Sequence, residues 1–255
     1  MECLGSVSRH MVMRLSISVL LTDDLTGAPI KGSSARVWID GQKPPIKKND
    51  GRSIFVDLPE GEYVLHAEGG FYAHTEVRCR VTSDKAENIT IRLIPNRLYP
   101  LPSDTVRIEG RTVPGSVVRV YSSDRSSAYK LLSDVKKGDS VIGIYHGAGI
   151  NIEGKLLKII SPDDKTEYIR VLSAENSERS EYLLSGELKA SFPKIGTVIV
   201  PVSECEPDAD GNVTILVKKG SGGSEMICEI QNGKKITEKK INILGSNCIK
   251  ADLTK

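Results

Sequence analysis

The chain has 255 residues, with 35 basic and 33 acidic side chains, a net charge of +2 and 39% hydrophobic residues. This composition is globular and excludes a disordered chain, and the balanced charge gives no concentrated basic face of the kind that nucleic-acid binding needs. Aromatics make up only 5%, so a core must be built mainly from Val, Ile and Leu.

Residues 1–13 read as a leader. From Arg14 onward, short apolar-alternating runs are separated by turn residues at intervals of about eight to twelve positions, the pattern of sandwiches and barrels. The runs are 15–21, 35–39, 53–58, 63–67, 75–81 and 89–93. Thr26-Gly27-Ala28-Pro29, Asn49-Asp50-Gly51 and Pro59-Glu60-Gly61 supply the breaks, with Gly for positive φ and Pro or Asn/Asp for preset turns. Leu15, Ile17, Val19, Val37, Phe55, Leu58, Tyr63 and Leu65 are the expected core of a first sandwich over 14–94. Pro95, Pro100 and Pro102 mark 95–104 as a link, because proline removes ladder donors and favours extended chain. A second β region over 105–255 has runs at 105–109, 117–121, 140–145, 156–160, 168–172, 197–202, 213–218, 225–230 and 240–244. An internal division is placed near 203–212. Only 126–135 has the character of a helical turn, and Gly220-Ser221-Gly222-Gly223 is a hairpin tip or short linker. The basic runs at 43–48 and 234–240 read as solvated turns. The fold class is all-β: a first sandwich followed by one or two further sandwich or small-barrel domains.

Within 15–93 the phrases Thr26-Gly27-Ala28-Pro29-Ile30, Ala35-Arg36-Val37-Trp38-Ile39, Asn49-Asp50-Gly51, Leu58-Pro59-Glu60-Gly61-Glu62-Tyr63-Val64-Leu65 and Gly69-Gly70-Phe71 follow one another in a specific order. This stretch resembles the carboxypeptidase regulatory-like family, which implies a transthyretin-like β-sandwich. A second echo starts at Val106-Arg107-Ile108-Glu109-Gly110-Arg111 and continues through Pro114-Gly115-Ser116-Val117. It resembles the opening of another such unit, with a shortened first turn. These phrases, with Gly196-Thr197-Val198-Ile199-Val200-Pro201-Val202, are also similar to accessory proteins of phage-tail-like contractile particles. The fold serves as an accessory in many settings, so the resemblance speaks to fold more than to function.

Chemistry-bearing motifs are sparse. The five cysteines (Cys3, Cys79, Cys205, Cys228 and Cys248) are odd in number and form no C-x-x-C pair, so they read as free thiols. His66 and His74 fall on neighbouring predicted strands and can face each other across a hairpin. No carboxylate or cysteine is assigned as a third ligand, and no bound metal or other cofactor is expected. Asp208-Ala209-Asp210-Gly211-Asn212 opens like a calcium loop, but Lys218 and Lys219 stand where the bidentate acid belongs, so it reads as a hairpin turn. His146-Gly147-Ala148-Gly149 is glycine-rich without a helix after it, so it reads as a β turn. No nucleophile elbow, phosphate loop or dinucleotide fingerprint occurs. In 11–21, Arg14 and the following Asp23 and Asp24 argue for a strand over a signal-peptide core, and cytoplasmic synthesis is expected. The expectation is therefore a non-catalytic structural or interaction protein that docks onto a larger assembly through protein partners, with no nucleic acid and no membrane insertion. The alternative is a ligand- or carbohydrate-binding sandwich with Trp38, Tyr63, Phe71 or Tyr72 as its aromatic face. The loops carrying Asp40, Gln42, Lys43, Lys47, His146 and Asn151 are the expected contact points.

Overall fold

The computed structural model describes residues 13–126, 128–147, 150–176, 180–219 and 225–254, and among these every regular element is a β-strand. The sequence-predicted turn at 220–223 and most of the leader lie outside the described residues. The chain divides into two compact units after Tyr99.

The first unit contains β1 (Leu15–Asp23), β2 (Ala35–Trp38), β3 (Ile46–Lys47), β4 (Arg52–Val56), β5 (Gly61–Gly69), β6 (Tyr72–Val81) and β7 (Glu87–Leu93). They form two sheets, β3-β4-β1-β7 and β2-β5-β6. β1 runs antiparallel to β4 and parallel to β7. Period-two alternation sends Ile17, Val19, Phe55 and Ile91 inward from one sheet and Val37, Leu65 and Ala67 inward from the other. Leu58 is buried, and Tyr63 packs half-buried against the same core. Leu15, expected in the core, is 40% exposed. The ladder to β4 shifts register between Leu15 and Ile17, and this irregularity turns Leu15 out and Ser16 in. The Ser16 hydroxyl then accepts the Leu58 N–H at 3.0 Å. Asp23, buried at the end of β1, accepts hydrogen bonds from the Thr26 N–H (2.8 Å) and from the hydroxyls of Tyr72 (2.9 Å) and Tyr99 (2.6 Å). Burial alone would raise its carboxyl, but these donors outweigh it and hold the group below its ordinary 3.8.

The second unit begins with β8 (Thr105–Arg111) and β9 (Val117–Ser122). It continues through β10 (Tyr129–Leu131), β11 (Val141–Tyr145), β12 (Leu156–Ile160), β13 (Thr166–Asn176), β14 (Glu181–Leu184) and β15 (Val198–Cys205). It ends with β16 (Asn212–Lys218), β17 (Glu225–Asn232), β18 (Lys235–Asn242) and β19 (Cys248–Asp252). Strands β10-β11-β14-β13-β12-β15 neighbour one another around a six-stranded barrel, closed where Tyr129 pairs with Ile199 and Lys130 with Val198. Leu131, Ile142, Ile144, Leu157, Ile159, Val171, Phe192 and Ile199 fill it. Within the stretch expected to turn helically, 129–131 instead form β10: closing the barrel requires a strand between β11 and β15, and this overrides a weak local preference.

Strands β8, β9 and β16–β19 form a second sandwich of two sheets, β16-β8-β19 and β9-β17-β18. β8 runs antiparallel to β16 and parallel to β19, as β1 does to β4 and β7; β17 joins β9 to β18 as β5 joins β2 to β6. The two sandwiches therefore share one strand order. They differ after the second strand, where the first carries only residues 39–51 and the other carries the whole barrel. β15 runs unbroken through 203–205, pairing with β12 in the barrel and then with β9 in the sandwich, so the barrel is an insertion within the second sandwich. The basic run at 234–240, expected as a turn, contributes most of β18. Among the described residues this strand pairs with β17 alone, and its lysines blunt an edge that could otherwise recruit foreign strands.

The barrel and second sandwich meet over a buried polar cluster. The Lys158 ammonium donates to the Tyr121 hydroxyl at 2.7 Å and forms a close ion pair with Glu229. Glu229 also accepts hydrogen bonds from the hydroxyls of Tyr121 (2.7 Å) and Tyr168. Arg119 lies over the Tyr168 ring at 4.6 Å and donates to Glu204 at 2.7 Å.

Candidate functional site

The outer face of the β2-β5-β6 sheet gathers chemically active side chains that the core does not use. Ala35 and Val37 of β2, and Ile39 just after it, turn inward, which places Arg36 and Trp38 outside. In β5, buried Leu65 and Ala67 leave His66 and Glu68 on the outer face; in β6 the same alternation puts His74 and Glu76 there. Register then sets the rows: Trp38 pairs with His66, His66 with Glu76, and Arg36 with Glu68. Gly69 lets the β5–β6 hairpin close against the loop before β2, since a Cβ there would sit 2.4 Å from the Ser34 carbonyl oxygen.

The Trp38 indole stacks on the His66 ring, with centroids 5.3 Å apart and planes 19° from parallel. The His74 ring lies 5.5 Å from His66. The Arg36 guanidinium sits 4.8 Å from the indole centre and donates through Nε to Glu68 Oε1 at 3.0 Å. That hydrogen bond holds the Glu68 carboxyl below its ordinary 4.5. Trp38 Nε1 donates to Asp40 Oδ1 at 3.1 Å. The other Asp40 oxygen is 3.5 Å from His66 Nε2, and the other Glu68 oxygen is 3.5 Å from His74 Nδ1.

His66 Nδ1, His74 Nε2 and Glu76 Oε1 converge between the two strands. Their separations are 3.5 Å between the nitrogens, 3.4 Å from His66 to Glu76 and 3.3 Å from His74 to Glu76. Among the described residues this is the group of His, Cys, Asp and Glu side chains close enough to share a metal ion. The two histidines face each other as their spacing implies. The third ligand that sequence reading did not assign is Glu76, and its signal was present: His66-Ala67-Glu68 and His74-Thr75-Glu76 repeat one His-x-Glu alternation on two strands of a hairpin. On a pleated strand i and i+2 share a face, and antiparallel pairing sets each histidine beside the other strand's glutamate.

The expected contact residues of the first unit have different surroundings. Asp40 belongs to the face just described. Lys47, on β3, instead lines a cleft of about 430 Å³ together with Ile30, Lys48 and Arg52, and its ammonium donates to the Gly32 carbonyl at 3.2 Å. Gln42 and Lys43 are exposed beside it in sequence. In the second unit, His146 stands among the rings of Tyr129 and Tyr182 and forms a close hydrogen bond to the Tyr182 hydroxyl. The Asn151 side chain is taken up locally, accepting the Glu153 N–H at 2.9 Å. At the calcium-like stretch, Asp208 accepts from the N–H groups of Asp210 and Asn212 and from the Asn212 amide, at 2.8–3.0 Å. These donors belong to a tight turn carrying Gly211 at φ 83°. Of the four expected aromatic contacts, Tyr63 packs on the core and donates to the Pro59 carbonyl, and Tyr72 is tied to Asp23. Phe71 is exposed at the hairpin tip and Trp38 stands on the outer face.

No family model matches this chain, and no curated protein matches it. Among solved structures it is similar to the TIE protein of Bacillus anthracis, at 9% identity over 94% of this chain and 50% of that one, with a TM-score of 0.27. It is also similar to a DUF3823-family protein of Bacteroides ovatus, at 13% identity over 89% of this chain and 99% of that one, with a TM-score of 0.23. A candidate carbohydrate-binding protein of Bacteroides uniformis matches at 11% identity over 89% and 98%, with a TM-score of 0.25. The chain thus spans half the length of the Bacillus protein. Likenesses this distant leave function to be argued from the residues.

Proposed function

We propose that this chain is a non-catalytic recognition protein whose first sandwich binds a polar, hydroxyl-rich ligand, of the carbohydrate class, on the outer face of the β2-β5-β6 sheet. The observation that carries this reading is Trp38. It is the sole tryptophan in the sequence, and it stands on the outer face of the sheet, stacked on His66, with Arg36 and His74 beside its ring and Asp40 accepting its N–H. The indole and the imidazoles beside it offer ring surface to the C–H groups of a sugar, and the carboxylate and guanidinium groups of the same face pair with its hydroxyls. All of these groups sit on or beside strands of a packed sheet, so little ordering entropy is lost on binding. The test is a glycan array, then titration of hits while Trp38 emission is recorded. A saturable change in emission, together with binding that calorimetry detects in the parent chain and loses in Trp38→Ala, supports the reading. Glycans that leave emission unchanged throughout the array overturn it.

A second reading is the docking of this accessory-like fold onto a larger assembly, such as a phage-tail-like contractile particle, through protein partners and without nucleic acid or membrane insertion. The observation behind it is the outlying apolar side chains of the second unit, Tyr145, Ile195 and Leu244, which are 63%, 86% and 72% exposed. Native mass of the complex recovered with tagged protein separates the two: a large particle of defined composition favours docking, and a monomer that binds glycan favours recognition.

A further inference from the structure

We propose that His66, His74 and Glu76 form a binding site for a divalent transition-metal ion of the zinc class, with one coordination position open to solvent. A tetrahedral ion with bonds of about 2.0–2.1 Å holds its ligand atoms roughly 3.3–3.4 Å apart, by the geometry of the tetrahedron. The three edges of the triangle here are 3.5, 3.4 and 3.3 Å. The ligand set of two imidazoles and one carboxylate is one that zinc accepts, and the chain offers it without rearrangement of the strands.

The surroundings of the triangle point the same way. A metal-binding imidazole donates its other ring N–H to a carboxylate, a backbone carbonyl or water, which fixes the tautomer and the ring orientation. Both histidines have a carboxylate within reach of that nitrogen: Asp40 lies 3.5 Å from His66 Nε2, and Glu68 lies 3.5 Å from His74 Nδ1. Each carboxylate is in turn held from behind, Asp40 by the indole N–H of Trp38 and Glu68 by Arg36. Two parallel chains of donor, carboxylate and imidazole therefore end on the same point. When each ring N–H turns toward its carboxylate, the three converging atoms are all acceptors; in the ion-free chain His74 Nε2 and Glu76 Oε1 share a hydrogen bond at 3.3 Å. One proton can bridge one edge of this triangle; a dication satisfies all three. The histidines differ in exposure, with side chains 16% and 43% accessible, and Glu76 is 59% accessible. The ion would lie against the sheet with its fourth position toward solvent, where water or an oxygen of a ligand completes the tetrahedron. The assignment does not depend on what else this face recognises, because the ion is measured alone.

Trp38 provides the reporter, since its ring is stacked on a ligand. The full chain, stripped with chelator and dialysed, is titrated with Zn²⁺ by calorimetry, with Cu²⁺ by tryptophan quenching and with Co²⁺ by visible absorption. One ion per chain, quenching of Trp38 and a tetrahedral Co²⁺ spectrum without a thiolate charge-transfer band are expected. His74→Asn and Glu76→Gln, both at exposed positions, should abolish this binding while leaving the far-ultraviolet circular dichroism unchanged. Asp40→Asn and Glu68→Gln should weaken it about 10–100-fold. Binding that persists in the His74→Asn/Glu76→Gln double variant, or no saturable binding of any of the three ions to the parent chain, overturns the site.

Discussion

Replacing Lys158 with methionine tests the joint between the barrel and the second sandwich. Lys158 and Glu229 have side chains only 8% and 7% exposed, so neither charge can turn to water when its partner is lost. Methionine keeps the volume of the lysine stem and removes two donated hydrogen bonds, to Tyr121 and Glu229. The Glu229 carboxylate then stays buried with tyrosine hydroxyls as its donors. Breaking a buried pair in this way costs about 3–5 kcal/mol. With a urea slope of about 2–3 kcal/mol per molar, the midpoint should fall by roughly 1–2.5 M. The unfolding is monitored by far-ultraviolet circular dichroism, because Trp38 lies in the first unit. Native Trp38 emission should be unchanged. Adding Glu229→Gln to Lys158→Met removes the stranded charge while keeping an amide oxygen to accept one tyrosine hydroxyl and an NH2 to donate to the other, so the double variant should be more stable than Lys158→Met alone. A loss below about 1 kcal/mol, or a double variant no better than the single, would refute the reasoning. The pH dependence has a defined sign. Burial pushes the Glu229 carboxyl up, but hydrogen bonds from Lys158, Tyr168 and Tyr121 outweigh it and leave the group below its ordinary 4.5. Its stabilisation is complete above that value and is lost as pH falls through the lower folded value. Glu229→Gln should flatten the acid limb of the stability profile.

Packing sets two further outcomes. Phe55, 2% exposed in the first core, should cost about 3–5 kcal/mol when cut to alanine, read as a lowered thermal midpoint of Trp38 emission. Cys228 is buried and its thiol is pushed up to about 11, while burial pushes Cys205 up to about 12; Cys248 is exposed. Iodoacetamide labelling of native protein at neutral pH, mapped by mass, should mark Cys248 and spare Cys205 and Cys228; labelling of Cys228 at the Cys248 rate would contradict the packing of the second sandwich.

The all-β class and the strands of the first sandwich are legible in the sequence, because period-two alternation and turn residues are local properties. Ile17, Val19, Val37, Phe55, Leu58 and Leu65 are buried as their spacing implies, and turn chemistry at 26–29, 49–51 and 59–61 brackets the strands that carry them. Local pattern fails where long-range pairing decides. Leu15 leaves the core because of a register shift against β4, and Lys235–Asn242 becomes a strand because β17 needs a neighbour. Tyr129–Leu131 becomes a strand because the barrel must close. The insertion of that barrel inside the second sandwich joins β9 to strands many residues away, a matter of which edges meet, on which alternation is silent. The candidate metal site divides the same way. Two His-x-Glu alternations put each pair on one face of its strand, which the sequence determines by itself. That His66, His74 and Glu76 meet within bonding reach of one ion, with Asp40 and Glu68 behind them, depends on the register of β2, β5 and β6. Only the tertiary structure decides that, because register is set by the packing of the opposite, buried face.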